Sequence, residues 1–157
     1  MKTEVISHLA TLLRVAATSR KLVSYKLLHE LFDPTVPVAA RYDVLERATA
    51  TICDLRMVDY GVLMTLDNGL PGDDFFSRFK RYRRDEYEAA MGYCSTGRSV
   101  IKRRALVVPE RQRVFDHASR CARSNNASTN DEIARWRVIE CHQKMAGSAQ
   151  NVASVHD

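Results

Sequence analysis

No run of 18 consecutive apolar residues occurs in this chain of 157 residues. Its first residues also lack a charged region followed by an unbroken apolar one, so neither a membrane span nor a secretory signal is visible, and a cytoplasmic protein with no membrane partner is expected. The four cysteines, Cys53, Cys94, Cys121 and Cys141, stand far apart without Cys-x-x-Cys spacing, which speaks for reduced thiols rather than a disulfide frame. Also missing are a Walker loop, Gly-x-Gly-x-x-Gly, His-Glu-x-x-His and Gly-x-Ser-x-Gly, and no carboxylate pair stands out from surface charge. No catalytic residue, cofactor or metal is therefore assigned, and a non-enzymatic protein is expected. There is no internal repeat, and the length suits one domain with a real core and an appended helical segment.

What the chain does have is positive charge in one place. Residues 78 to 104 hold nine Lys and Arg against three acids, a local charge of +6 in a chain whose formal charge is +5, so the remainder is slightly acidic. Phe79, Tyr82, Tyr87 and Tyr93 interleave with these cations. Such a segment suits phosphate contact with packing against bases or sugars. It also suits a solvated face, a basic linker or an acidic protein partner.

Helical spacing dominates the first third. Ile6, Leu9, Leu12, Leu13, Ala16 and Ala17 predict an amphipathic helix over about residues 4 to 19. Lys21-Leu-Val23 is short and β-compatible, and Ser24 caps a second helix with Tyr25, Leu28, Leu31 and Phe32 on one face. Pro34 and Pro37 end it. Leu45, Ala48, Ile52 and Leu55 then mark a third helix, with Arg41, Arg47, Thr49 and Arg56 off the stripe. This is the order of a winged helix-turn-helix, mainly α with a small β-wing, whose third helix would read the major groove.

For the wing, Tyr60, Val62, Met64 and Leu66 alternate with Gly61, Leu63 and Thr65, which predicts a half-buried strand, and Asp67-Asn-Gly69 supplies positive-φ residues for a tight turn. Leu70-Pro-Gly72 is poor ladder material, so a short return or a loop is expected. Phe75 and Phe76 should anchor that loop, Asp73-Asp74 should cap the segment after it, and Arg78, Lys80, Arg81, Arg83 and Arg84 should emerge beside the wing.

Three stretches carry a resemblance. Leu12-Leu13, Val23-Ser24-Tyr25, Leu28 and Leu31, then Asn68-Gly69-Leu70-Pro71-Gly72 with Phe75-Phe76, and then Arg113-Val114-Phe115-Asp116-His117, resemble a family of small bacterial and mobile-element proteins over about residues 6 to 118. The Gly-Leu-Pro-Gly-x-x-Phe-Phe loop is its most specific part. Val23-Ser-Tyr25 also looks like the winged-helix half of alkyltransferase-like DNA-repair proteins, which implies contact with DNA. Those proteins react through Pro-Cys-His-Arg, whereas this chain has Val138-Ile-Glu-Cys-His-Gln143 more than 100 residues beyond Val23-Ser-Tyr25. Glu140 beside Cys141 would raise the thiol pKa rather than lower it, so alkyl transfer is not expected.

His117 and Cys121 are four apart on a predicted helix, and Cys141-His142 lies on the next, a set of donor types that zinc accepts. Adjacent residues on a helix diverge by about 100°, however, and cysteines in the core with histidines at the surface are the preferred reading. Pro109 would open a helix to about Arg123 with Val114, Phe115, Ala118 and Cys121 inward, Ser124 to Thr129 would be a loop, and Thr129 with Glu132 would cap a last helix to Met145. Ile133, Trp136 and Ile139 form its stripe, which would either complete the core or make a homodimer.

The expected organisation is a winged-helix-like domain over 1–92, a basic connection over 93–108, a C-terminal helical pair over 109–146 and a tail over 147–157. Two functions fit. One is a DNA-binding regulator or accessory factor in which Arg41, Arg47 and Arg56 meet bases or phosphates of duplex DNA, while Arg78, Lys80, Arg81, Arg83, Arg84, Arg98, Lys102, Arg103 and Arg104 meet phosphates. The other is a phage or mobile-element factor whose basic segment binds an acidic host protein.

Overall fold

The computed structural model describes residues 2–93 and 96–148, with side chains through residue 126. It is mostly helical, with one two-stranded parallel sheet. Two compact units, Met1–Ser119 and Arg120–Asp157, divide the chain.

In the first unit, α1 (Lys2–Thr18) buries Leu9, Leu13, Ala16 and Ala17 at helical spacing. It closes with Lys21 N–H donating to the Ala16 carbonyl and Arg20 N–H to that of Ala17. This paired closure needs a left-handed residue, and Arg20 takes that place with φ 54°. Next come β1 (Val23–Ser24) and α2 (Tyr25–Glu30), where the Ser24 hydroxyl accepts from Lys26 N–H as the expected cap. The third helix, α3 (Val38–Ile52), packs Val44, Leu45 and Ala48 inward and lies against α1.

The expected strand over residues 60 to 66 is mostly a 3₁₀ turn, Tyr60–Leu63, with a short β2 (Met64–Thr65) after it. Two causes are visible. The Asp59 carboxylate accepts from Gly61 N–H and curls the chain into the turn, and Tyr60 through Met64 are all buried, so no half-exposed face exists for an alternating strand. β2 pairs in parallel with β1, Val23 beside Met64 and Ser24 beside Thr65, rather than antiparallel with a returning strand. Among the described residues there is thus no wing hairpin, and the winged helix-turn-helix stays an expectation of the sequence. The tight turn itself is present. Gly69 has φ 79°, Leu66 N–H donates to the Leu70 carbonyl, and Asn68 contributes through its side-chain oxygen, which accepts from Leu70 N–H.

Gly72 caps α4 (Asp73–Tyr82), whose first turn carries Asp73 and Asp74, the sign that a helix N-terminus favours. Phe75, Phe76 and Phe79 go into the core, as expected for the first two. A bend at Arg83 leads into α5 (Arg84–Met91), and α6 then spans Val100–Ser148. Two expectations are corrected here. The connection over 93–108 is helical from Val100, with Leu106 and Val107 in the core, and 124–129 is helix rather than loop. Pro109 stands inside α6 on an exposed face, where the carbonyl left without a helical donor can meet water.

The second unit has a helical backbone to Ser148. The side chains of Ile133, Trp136, Ile139, Cys141 and His142, and the tail from residue 149, lie outside the described residues.

Candidate anion-binding cleft

Val23–Tyr25 and the segment from Met64 to Asp74 meet in space. Beyond the β1–β2 pairing, the Tyr25 hydroxyl accepts from Gly72 N–H at 2.9 Å and donates to Asp74 Oδ1 at 2.7 Å. Burial first, and Asp74 next, push the Tyr25 pKa well above the ordinary tyrosine range, so the hydroxyl stays a donor. A side chain at Gly72 would crowd this joint, since a Cβ there would lie 2.8 Å from Asp74 Oδ1 and 3.2 Å from the Tyr25 oxygen.

From that joint an ionic chain runs through the interior. Asp74 Oδ2 lies 3.5 Å from Arg78 Nη1, and Arg78 donates to Asp59 through Nε at 2.7 Å and Nη2 at 3.2 Å. Asp59 N–H donates to Glu110 Oε1 at 2.9 Å, and Glu110 accepts twice from Arg83 at 2.7 and 2.9 Å. Arg83 reaches on to Glu86, and Arg113 bridges Glu86 and Glu110. Arg78 is 1% exposed, Glu110 1% and Arg83 6%. Burial alone would lower both arginine pKa values, but Asp59 more than compensates at Arg78, and the hydrogen bonds to Glu86 and Glu110 do so at Arg83. The expectation that Arg78 and Arg83 stand on the surface with the other cations is therefore corrected. They are internal counter-ions and their donors are committed.

The remaining expected site residues divide again. Arg41 folds back onto the carbonyls of Val36, Asp33 and Pro34, where it staples the α2–α3 connection. Arg47 pairs with Asp43, Arg81 with Glu46 and Arg84 with Glu88, all exposed contacts that exchange readily with water. Arg56 and Arg104 are exposed, and Lys102 donates to the Met91 carbonyl at 3.0 Å.

Lys80, Arg98 and Arg103 are brought together. They line an open cleft of about 590 Å³ formed by α4, Tyr87 of α5, the segment before α6 and the first turn of α6. Arg103 is held rigidly. Its Nε donates to the Gly97 carbonyl at 2.6 Å, its Nη2 to Asp73 Oδ1 at 2.7 Å, and its guanidinium lies 4.3 Å over the Phe76 ring. Lys80 Nζ sits 5.5 Å from the Tyr87 ring centre, an aromatic contact that leaves the ammonium protons available. Arg98 is exposed and makes no ion pair among the described residues. Gly97 is required twice over, by φ 72° and because a Cβ would come within 2.9 Å of the Tyr87 oxygen.

Three cations thus face one carboxylate, Asp73, and Ser77 and Thr96 add hydroxyls to the lining. Such a set can hold an oxyanion by charge and hydrogen bonds. The clue in the sequence was the excess charge over 78–104. It could not say which cations point into one space, because that depends on the α4–α6 packing.

His117 turns toward Tyr60 and Cys53, and among the described residues no three or more His, Cys, Asp or Glu gather as metal ligands. No family model, curated protein or solved structure matches the chain, so the reading of the site rests on its own geometry.

Proposed function

We propose that this protein is a non-enzymatic nucleic-acid-binding protein that holds the phosphodiester backbone of duplex DNA in the cleft lined by Lys80, Arg98 and Arg103. The observation that carries the reading is the convergence of three cations from separate segments on one open space beside Tyr87 and Phe76. Fixed charge in a concave site releases condensed counterions from a polyanion.

Binding of this kind is sequence-tolerant. On α3 the charged residues Arg41, Asp43, Glu46 and Arg47 are of both signs, and Arg41 is tied to the preceding loop, which weakens the case for a base-reading helix. Titration of a random duplex across low to moderate salt tests the proposal. Lys80→Ala with Arg98→Ala should lower affinity and reduce the slope of log affinity against log salt by about two. An unchanged slope removes the cleft from the DNA site.

A further inference from the structure

A second cluster uses none of the side chains of the cleft or of the ionic chain. Cys53 comes directly after α3, Tyr60 opens the 3₁₀ turn and His117 stands on α6, so three separate segments deliver three reactive side chains to one place. The Tyr60 hydroxyl is 2.9 Å from His117 Nδ1, and His117 Nε2 is 3.7 Å from Cys53 Sγ. Tyr60 is 2% exposed, and its ring meets the imidazole edge-on with centroids 5.8 Å apart, which fixes the ring's direction. Cys53 and His117 are each only half-buried.

We propose that Cys53 is a nucleophilic thiol, activated by His117 and positioned through Tyr60, that takes up one half of a small-molecule disulfide. A thiol, a base within reach of it and a third group orienting the base are the parts such reactivity needs. When Tyr60 accepts a hydrogen bond from Nδ1–H, the Nε2 lone pair faces the sulfur and receives its proton. The Sγ electron pair then attacks one sulfur of R–S–S–R. A Cys53–S–S–R bond forms, the reagent's S–S bond breaks, and the departing R–S⁻ takes the proton from His117. Cys53 is oxidised, half of the reagent is reduced, and no other electron carrier is needed.

The neighbouring carboxylates, Asp54 and Asp116, are exposed to water, which screens their charge at the sulfur. Asp54 is turned to Arg56 N–H and Asp116 to Gln112. Tyr60 acts only through His117 and is a positioning residue.

The test incubates the full chain with oxidised glutathione from pH 5 to 10, quenches with acid and monitors each of the four cysteines by peptide mass spectrometry. The Cys53 rate should show a midpoint below the ordinary thiol value of about 8.5. At pH 7, His117→Gln should slow Cys53 about tenfold, while at pH 10, where every exposed thiol is ionised, the two rates should converge. Tyr60→Phe should move the midpoint upward. A wild-type midpoint at or above about 8.5 overturns the proposal without recourse to any variant, and so do equal rates at pH 7 in the wild type and a folded His117→Gln protein.

Discussion

Arg78 and Lys80 stand two residues apart on the same helix, yet one is sealed in the interior between two aspartates and the other lines an open cleft. The difference is helical phase. Arg78 falls three residues after Phe75 and one before Phe79, inside the buried stripe, with Asp74 one turn earlier on the same face. Lys80 falls on the opposite side. A run of like charges therefore contains two populations, one spent on holding the helix to the rest of the fold and one available to a ligand.

The sharpest way to break that comparison is Arg78→Ala. Removing one partner leaves Asp59 and Asp74 buried without their counter-charge, and a loss of about 3–5 kcal/mol in urea unfolding is expected. Arg78→Lys should recover only part of it, because an ammonium cannot reproduce the forked contact to Asp59. A loss below about 1 kcal/mol would mean that the ionic chain is incidental to stability.

Gly61→Ala attacks the same region from the other side. A Cβ at Gly61 would overlap Arg78 Nη2 and lie 2.9 Å from Asp59 Oδ1, so about 1–3 kcal/mol of destabilisation is expected from crowding a guanidinium that cannot move away. An unaltered unfolding midpoint would show that the pair has room to shift.

At the partly exposed end of the chain the effect is smaller and depends on pH. The hydrogen bond from Arg83 first, and that from Arg113 after it, hold Glu86 down to about 2 from its ordinary 4.5, against the opposing effect of burial. A depressed carboxylate contributes stability that is present above its unfolded pKa and is lost as pH falls. The window is therefore about 4.5 down to about 2. Glu86→Gln should flatten stability across that window and leave the alkaline side unchanged, and equal acid limbs in thermal melts of the two proteins would exclude Glu86 from the network. The contribution is modest because water screens the exposed half of this side chain.

The smallest stability effect belongs to the cleft. Lys80→Ala with Arg98→Ala should change unfolding free energy by no more than about 0.5 kcal/mol, as surface substitutions do, while altering the salt dependence of DNA binding. A large loss of stability there would merge the two populations and end the comparison.

Local pattern went a long way for the helices. The stripe of α1, Tyr25 and Leu28 of α2, Leu45 and Ala48 of α3, the Ser24 cap, the positive φ at Gly69 and the burial of Phe75 and Phe76 were legible, because each depends on neighbours within a turn or two, whereas Thr49, expected off the α3 stripe, is buried and Leu55 lies beyond that helix. Tyr60 to Leu63 were not, because alternation reports a strand only where one face is wet, and here the segment is buried on every side with Asp59 curling it. The helix start expected at Pro109 also failed, since an exposed carbonyl near a proline can bond to water and the helix runs through it from Val100.

For the candidate site the division is sharper. Sequence by itself determined the supply of cations and aromatics over 78–104 and the tight turn at Asn68-Gly69. Only the tertiary structure decided that Tyr25 would meet Gly72 and Asp74, that Glu110 would neutralise Arg83 from 27 residues away, and that Cys53, Tyr60 and His117 would share one corner. A charge carries no record in the sequence of which distant partner will desolvate it. That choice is made when the helices pack and the interior leaves room for one geometry.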